Sequence, residues 1–428
     1  MFKVLVIAYY FPPMGLSGVQ RTLKFVKYMK KYNWEPTVIT AENVGYFAHD
    51  KTLLEEIEKE NIRIIRTPGK DPNSLLSRYG TIKVPGELIR KLFNRVSQSV
   101  FIPDNKISWS KSAYNAAAKL LEKEKFDVIF VTAPPFSAFS MAIKLKKKFN
   151  VPILADYRDL WVGSYFAFYP TPLHRYLHKK MEYRVLKTVD KVTVTNRKIK
   201  EKLINNYKFL TFDDIVIISH GYDSEDFKDV EPTPKNNDKM ILTYAGVFIE
   251  YSTPKYFLKA FKKIENERPD IASNIKLNFL GLLRKENKKI IKRLKLEGYV
   301  TDYGYLTHKD AIEKLLSSDI LWLMIGRRKN IDAILPGKLF EYFGSHKPII
   351  ACVPKGAART ATIAYEASFI TEPEDIDAIK DTILKVYELY TKNELPKPHE
   401  EYIDKHRRDV LTEQLTKQFQ FLIKEDVE

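Results

Sequence analysis

Lys3-Val-Leu-Val-Ile-Ala-Tyr9 leads into Phe11-Pro-Pro-Met-Gly-Leu-Ser-Gly18, and then Val19, Leu23, Val26 and Met29 recur at helical spacing. The first run is continuously apolar, as a parallel strand buried on both faces requires. Prolines and glycines make the next eight residues a loop. The recurring apolar residues predict a helix, with Lys24, Lys27, Lys30 and Lys31 mostly facing water. Pro36-Thr-Val-Ile-Thr40 closes a strand–helix–strand unit. The opening of the chain therefore predicts a doubly wound α/β domain.

Working outward, strand-like runs follow at 62–66, 127–131, 152–155, 191–195 and 215–218, with helical patterns between most of them. Residues 70–115 are less regular and read as an elaboration on this plan. The composition shifts over 223–238, and Glu231-Pro-Thr-Pro-Lys-Asn-Asn-Asp238 reads as a linker. The opening pattern then returns. Strand 240–244 leads into loop 245–253 and a helix, with Thr253 as predicted N-cap and Pro254 as first helical residue. Further strands are expected at 275–280, 300–303, 320–325 and 348–352. From about 401 a closing helix carries Val410, Leu411, Leu415, Phe419 and Leu422 as a stripe. The predicted fold is α/β, with two doubly wound parallel-sheet (Rossmann-like) domains facing a cleft. The expected domains are 1–225 and 226–400, with 401–428 packing back on the first. Ligands of such sheets bind outside the carboxyl ends of the strands, which points to a nucleotide-like ligand.

The 428 residues exceed one ordinary core, and 44% hydrophobic with 29% charged residues excludes a disordered chain. The single Cys352 excludes an intramolecular disulfide or a cysteine-rich zinc site and suits a reducing, cytoplasmic compartment. The run Val4–Phe11 is too short for a leader or a membrane span, and Val128–Ile143 is broken by Pro134-Pro135. A net charge of +17 suits polyanions. Between Pro172 and Lys187, Leu173, Leu177, Met181 and Val185 recur among Arg175, Lys179, Lys180 and Arg184. That pattern fits either an ordinary surface helix or peripheral docking on an anionic inner membrane face. No helix-turn-helix, zinc-finger or RNP pattern accompanies the charge, so no nucleic-acid partner is expected.

Two loops carry candidate chemistry. Met14-Gly-Leu-Ser-Gly18 joins a strand to a helix N-terminus, where amides at Ser17 and Gly18 could approach an anion. It lacks the Gly-x-Gly-x-x-Gly spacing, which counts against a dehydrogenase. In Leu335-Pro-Gly-Lys-Leu-Phe-Glu-Tyr342, a Pro-Gly turn opens a helix and Lys338 stands at its positive end. A bound anion would supply the missing negative charge, and Glu341 one turn on could accept both hydroxyls of a ribose. A capped surface helix is the simpler alternative.

Taken together, Tyr9–Arg21, Asp156-Tyr-Arg-Asp-Leu-Trp161, His220-Gly-Tyr-Asp223, Tyr244-Ala-Gly246, Gly304–His308 and Pro336–Tyr342 resemble landmarks of bacterial family-4 GT-B glycosyltransferases that build surface polysaccharides. They stand in the family's order over nearly the whole chain. The resemblance implies a metal-independent, retaining hexosyltransferase without a protein nucleophile, and without a cofactor beyond its UDP- or GDP-linked nucleotide-sugar substrate. Its acceptor would be a glycan or a polyprenyl-linked sugar. It further implies that Lys338 contacts the diphosphate and Glu341 the ribose. Gly246, Gly337 and Leu339 would line the donor, and Ser17 and Gly18 would approach its phosphates from the other domain. Arg158 falls where many relatives carry an active-site histidine. With Asp159 and Lys338 it forms the expected catalytic set, and Asp156, Tyr157 and Trp161 are expected on the acceptor side. No metal ligands are expected. Two departures stand out. A glutamate common in the family is replaced by Ala333, leaving Asp332 beside it as the candidate substitute, and Arg284 is the candidate second donor cation.

Tyr157, Trp161, Tyr165, Phe166, Phe168 and Tyr169 crowd the segment after Arg158, either as loop packing or as an acceptor rim. His220 and His308 fall in the landmarks, whereas His174 and His178 read as surface residues. Two alternatives to a transferase share the architecture: a nucleotide-sugar epimerase and a catalytically inert binding protein.

Overall fold

The computed structural model describes residues 1–15, 17–42, 49–69, 87–234, 238–248 and 252–425. They form two compact units, Met1–His220 with Arg408–Glu428, and Gly221–Arg407.

The first unit holds a parallel sheet of β1 (Phe2–Ile7), β2 (Trp34–Ala41), β3 (Arg63–Thr67), β4 (Val128–Ala133), β5 (Ile153–Tyr157), β6 (Lys191–Val194) and β7 (Ile215–Ile217). Its strand order is β3-β2-β1-β4-β5-β6-β7. β1 pairs with β2 through Leu5↔Thr37 and with β4 through Leu5↔Ile129, so the order reverses between β1 and β4. Val4 to Ile7 and Val128 to Val131 are wholly inaccessible, which explains their unbroken apolar runs. Among the described residues before His220 its helices are α1 (Ser17–Met29), α2 (Lys51–Lys59), α3 (Glu87–Val100), α4 (Ile107–Leu121), α5 (Ser137–Phe149), α6 (Pro172–Leu186) and α7 (Arg197–Asn206).

The second unit repeats the plan with β8 (Met240–Ala245), β9 (Ile275–Leu280), β10 (Val300–Asp302), β11 (Ile320–Met324), β12 (Ile349–Cys352) and β13 (Ser368–Thr371). These are ordered β10-β9-β8-β11-β12-β13, and the order reverses between β8 and β11. Around the sheet lie α8 (Lys255–Glu267), α9 (Pro269–Ala272), α10 (Lys285–Arg293), α11 (His308–Leu316), α12 (Lys338–Gly344), α13 (Ala357–Tyr365), α14 (Ile376–Thr391) and α15 (Glu400–Asp404). Trp322 anchors the core, stacked on Phe257 with ring centroids 3.9 Å apart. In each unit the loops leaving the two central strands form a switch point, where ligands of doubly wound sheets bind.

The last helix, α16 (Arg408–Glu425), belongs to the first unit. Phe419 packs edge-on against Trp34 at 5.0 Å, and Leu411, Leu415 and Leu422 are buried with it. The units part at His220, whereas the proline-rich stretch 231–234 lies inside the second unit.

Three expectations are corrected. Lys24 does not face water: it is buried, with its ammonium 2.7 Å from Glu56. The helix 172–186 does not bury Leu173, which is 61% exposed; its inner face is His178, Glu182, Val185 and Leu186. The helix after β8 starts at Lys255 rather than Pro254, and the Thr253 hydroxyl accepts from the Lys255 amide at 3.3 Å.

Candidate active site

In the second unit the backbone leaving β8 and β9 has conformations that only glycine adopts freely. Gly246 has φ +113° and Gly281 has φ +115°. The Gly246 amide donates to Leu280 O and the Gly281 amide to Gly304 O, each at 2.7 Å. A Cβ on Gly281 would lie 2.7 Å from the Gly246 carbonyl oxygen. The three loop backbones therefore pack directly on one another, with no side chain between them.

Lys338 reaches over this floor. Its ammonium sits 3.7 Å above the ring centroid of buried Tyr244, and a Cβ on Gly246 would come within 3.4 Å of it. Tyr342, one turn along α12, fixes the helix by accepting from the Ala245 amide at 2.8 Å and donating to Trp322 O at 3.2 Å. Loss of water around Lys338 pushes its pKa down to about 7, with Glu341 pulling the other way. Among the described residues no hydrogen-bond acceptor meets the ammonium, so its charge is balanced by a π face and a distant carboxylate. Glu341 stands 3.9 Å from His308 Nδ1, and His308 Nε2 is 2.9 Å from Asp226. His308 thus stands between the carboxylates of Asp226 and Glu341, bonded to the first and beside the second. Asp226 was invisible to the sequence reading, because only the fold brings it to His308.

The remaining residues expected at the donor site separate. Gly337 caps α12, but the Leu339 side chain is fully buried and its amide is taken by Pro336 O, so Leu339 is core. Arg284 stands at the N-cap of α10. Asp332 lies on a short turn whose backbone packs against Gly356, where a Cβ would meet Asp332 O at 2.6 Å. It lines an open cavity of about 540 Å³ with Arg327, Arg328 and Lys355.

In the first unit Arg158 is buried, and its guanidinium donates to Gly18 O, Pro134 O and, at 3.4 Å, Ala133 O. It also lies 5.6 Å from the Tyr10 ring. It thus clamps the start of α1, which Ser17 and Gly18 open, onto the loop after β4. Burial lowers its pKa, opposed by Asp156 and Asp159. Asp159 is half-buried, and burial raises its pKa against the pull of Arg158.

Asp156 and Tyr157, expected on the acceptor side, are inaccessible. Asp156 is consumed by Arg21 at 2.8 Å and by the hydroxyls of Thr132 and Thr193, each at 2.9 Å. Tyr157 packs against Phe139 at 4.6 Å. Trp161 is nearly enclosed, stacked on Phe136 at 4.9 Å, yet one face borders a cavity of about 280 Å³. Tyr10, Asn94, Gln98, Asn105 and Tyr169 also line it. His178 is not a surface residue: its Nδ1 accepts from Trp161 Nε1 at 2.9 Å. Of the crowded aromatics, Phe166, Phe168 and Tyr169 rim this cavity. Asn94, Gln98 and Asn105 were missed because they come from the less regular stretch 70–115, which carries no motif.

Two Rossmann-like units, each with a parallel doubly wound sheet, make up the GT-B fold of glycosyltransferases. Residues 17–226 match the family model of Glycosyltransferase Family 4, and residues 225–406 match that of Glycosyl transferases group 1. The chain belongs to family 4 of the GT-B glycosyltransferases and is a glycosyltransferase. No curated protein matches it by sequence. Among solved structures, sucrose-phosphate synthase of Thermosynechococcus elongatus is 14% identical over 99% of this chain and 100% of its own, with a TM-score of 0.67. The lipopolysaccharide outer core galactosyltransferase WaaB in its apo form is 14% identical over 98% of this chain and 99% of its own, with a TM-score of 0.59. S. aureus MnaA with UDP is 13% identical over 99% of this chain and 97% of its own, with a TM-score of 0.57. At these identities the likeness shows the fold.

Proposed function

We propose that this glycosyltransferase moves a sugar from a nucleoside diphosphate donor, with retention at the anomeric carbon, to a glycan or lipid-linked acceptor of surface polysaccharide synthesis. The observation that carries the donor half is Lys338, a desolvated ammonium beside the bare backbone of Gly246 and Gly281. A diphosphate there would meet a cation held in place before binding, and charge building on the leaving phosphate would be stabilised without reorganisation. Glu341, beside His308, is the ribose ligand of this reading, and Asp332 the group nearest the sugar. With no protein nucleophile assigned, rate enhancement comes from positioning and from this electrostatic term. On the acceptor side, the 280 Å³ cavity offers aromatic faces and amide side chains, a lining suited to sugar rings or an apolar tail.

The test is a thermal-shift screen against UDP, GDP, ADP and CDP and their sugar conjugates, with Glu341→Ala alongside. Ligand at about 100 times its Kd stabilises the fold by roughly 2.7 kcal/mol, a rise of several degrees for a domain of this size. A shift with one nucleotide family, lost in Glu341→Ala, is expected. No shift with any nucleotide overturns the donor assignment. With the donor known, the anomeric configuration of the product, read by NMR, tests retention. Conversion of the donor without any acceptor would mark an epimerase instead.

A further inference from the structure

His308 is placed by local structure on both sides. It opens α11, whose N-cap Thr307 accepts from the Asp310 amide at 3.2 Å. Four residues earlier the Gly304 carbonyl accepts from Gly281, which ties the start of α11 to the glycine floor beside Lys338. On the other side of the ring the turn Ser224–Phe227 presents Asp226. That turn rests on α12 because Gly344 has no side chain. A Cβ there would run into the rings of Tyr222 and Phe227. One helix thus carries Glu341 and seats the turn that supplies Asp226.

The distances around the imidazole are unequal. Nε2 is 2.9 Å from Asp226, a hydrogen bond, whereas Nδ1 is 3.9 Å from Glu341, beyond the reach of one. A carboxylate only accepts, so the proton facing Asp226 belongs to Nε2. An imidazole protonated there offers Nδ1 as an acceptor. A proton on Nδ1 would instead draw Glu341 in to about 2.8 Å. Two acceptors therefore converge on one spot. Glu341 is the most open of the three side chains, at 23% against 14% for His308 and 16% for Asp226. Acceptors set this close together suit a ligand with two neighbouring O–H donors.

We propose that His308 Nδ1 and Glu341 hold the two hydroxyls of the donor ribose, one each, and that this pair restricts the enzyme to ribonucleotide-linked sugars. The inference rests on the proposed donor site and adds a specificity-determining residue to it. A 2′- or 3′-deoxyribose leaves one of the two acceptors without its donor, the costly way to lose a partly buried hydrogen bond. Deoxyribonucleotide-linked sugars are thereby excluded as donors. Asp226 acts through His308, as a positioning residue that fixes which ring nitrogen carries the proton.

UDP, GDP, ADP and CDP are titrated calorimetrically into the full chain, and each that binds is compared with its 2′-deoxy and 3′-deoxy forms. A missing hydroxyl at either carbon is expected to weaken binding to wild type roughly tenfold to a hundredfold. In His308→Phe the ribonucleotide should bind more weakly, and the penalty for one deoxy form should vanish while the other stays. Glu341→Ala should show the complementary loss. His308→Asn keeps an acceptor near the Nδ1 position and should preserve both penalties. Nitrogen NMR of histidine-labelled wild type keeps the test decisive should His308→Phe not fold, with His308→Asn identifying the signal. Nδ1 should read as unprotonated and should shift when the ribonucleotide is added. A protonated Nδ1, or both penalties intact in His308→Phe, overturns the proposal. So does wild type that binds a ribonucleotide and its deoxy forms alike, a result that leaves the donor site standing. Wild type that binds no ribonucleotide overturns the donor site and this inference together.

Discussion

Arg21 and Asp156 form an ion pair enclosed on all sides, each side chain 1% exposed and the closest approach 2.8 Å. The remaining donors of Arg21 go to Ile218 O and Ser219 O at 2.9 and 2.6 Å. One pair thereby ties α1, β5 and the segment after β7, while Thr132 and Thr193 add β4 and β6. Asp156 was expected to face an acceptor, and it is instead enclosed, tying α1 to the sheet through Arg21.

Removing one partner leaves the other charged and buried, the costly way to break such a pair. Asp156→Ala is expected to lower stability by about 3–5 kcal/mol in chemical denaturation. Burial by itself would raise the Asp156 pKa, but Arg21 and the two threonines hold it below the usual range. Its contribution is therefore present above pH ~4 and lost as pH falls through the lowered value. A loss below 1 kcal/mol would show that the pair is replaceable.

Lys338 gives nucleotide binding a pH dependence of definite sign. Its pKa is about 7 in the free enzyme, and a bound diphosphate would raise it. Binding above pH 7 then takes up a proton, so affinity should fall by up to about tenfold per pH unit. Titration calorimetry at pH 7, 8 and 9 in buffers of different ionisation enthalpy measures both quantities. Lys338→Met should bind more weakly, with a flat profile. A flat wild-type profile would remove Lys338 from the phosphates.

Much of this architecture was written in local pattern. The opening strand–loop–helix run and its return at Met240 located both switch points, and Pro336–Tyr342 located Lys338 and Glu341. What stayed hidden depends on partners distant in sequence. Lys24 read as solvent-facing because Glu56, which draws it inward, lies on another helix. On α6, His178 and Glu182 are buried because Trp161 and Tyr207 supply hydrogen bonds to them, which the apolar periodicity of the segment cannot show. The edge strand β13, four residues long and mostly half-buried, has no apolar run to betray it. The cavity beside Trp161 draws on segments from Tyr10 to His178, and no motif spans that distance.

The glycine floor predicts a backbone lesion with its own control. Gly281→Ala puts a methyl 2.7 Å from Gly246 O at φ +115°, a conflict that only displacement of the Gly246 loop relieves. Strain of this kind costs about 1–3 kcal/mol. The nucleotide-induced thermal shift should vanish with it, because Lys338 rests against Gly246. Gly298→Ala, with nothing within 4 Å, should leave both stability and the shift unchanged. An undiminished shift in Gly281→Ala would mean that the donor does not use this floor.

Glu182 supplies a stability prediction independent of any ligand. It is fully buried in α6, and one oxygen accepts from the Tyr207 hydroxyl at 2.6 Å. Burial raises its pKa to about 8 even though that bond opposes the shift. A carboxyl raised in the fold binds its proton more tightly there than in the unfolded chain, where its pKa is about 4.3. Its contribution is intact below pH ~4 and declines as pH climbs through the interval up to about 8. Glu182→Gln keeps an acceptor for Tyr207 and cannot ionise, so this decline should disappear. Urea denaturation should find the two proteins close at pH 5. By pH 8.5 the variant should be the more stable, by up to about 1.4 kcal/mol for each pH unit crossed. A variant less stable than wild type at pH 8.5 would show that Glu182 is ionised in the fold and that the charge itself is required.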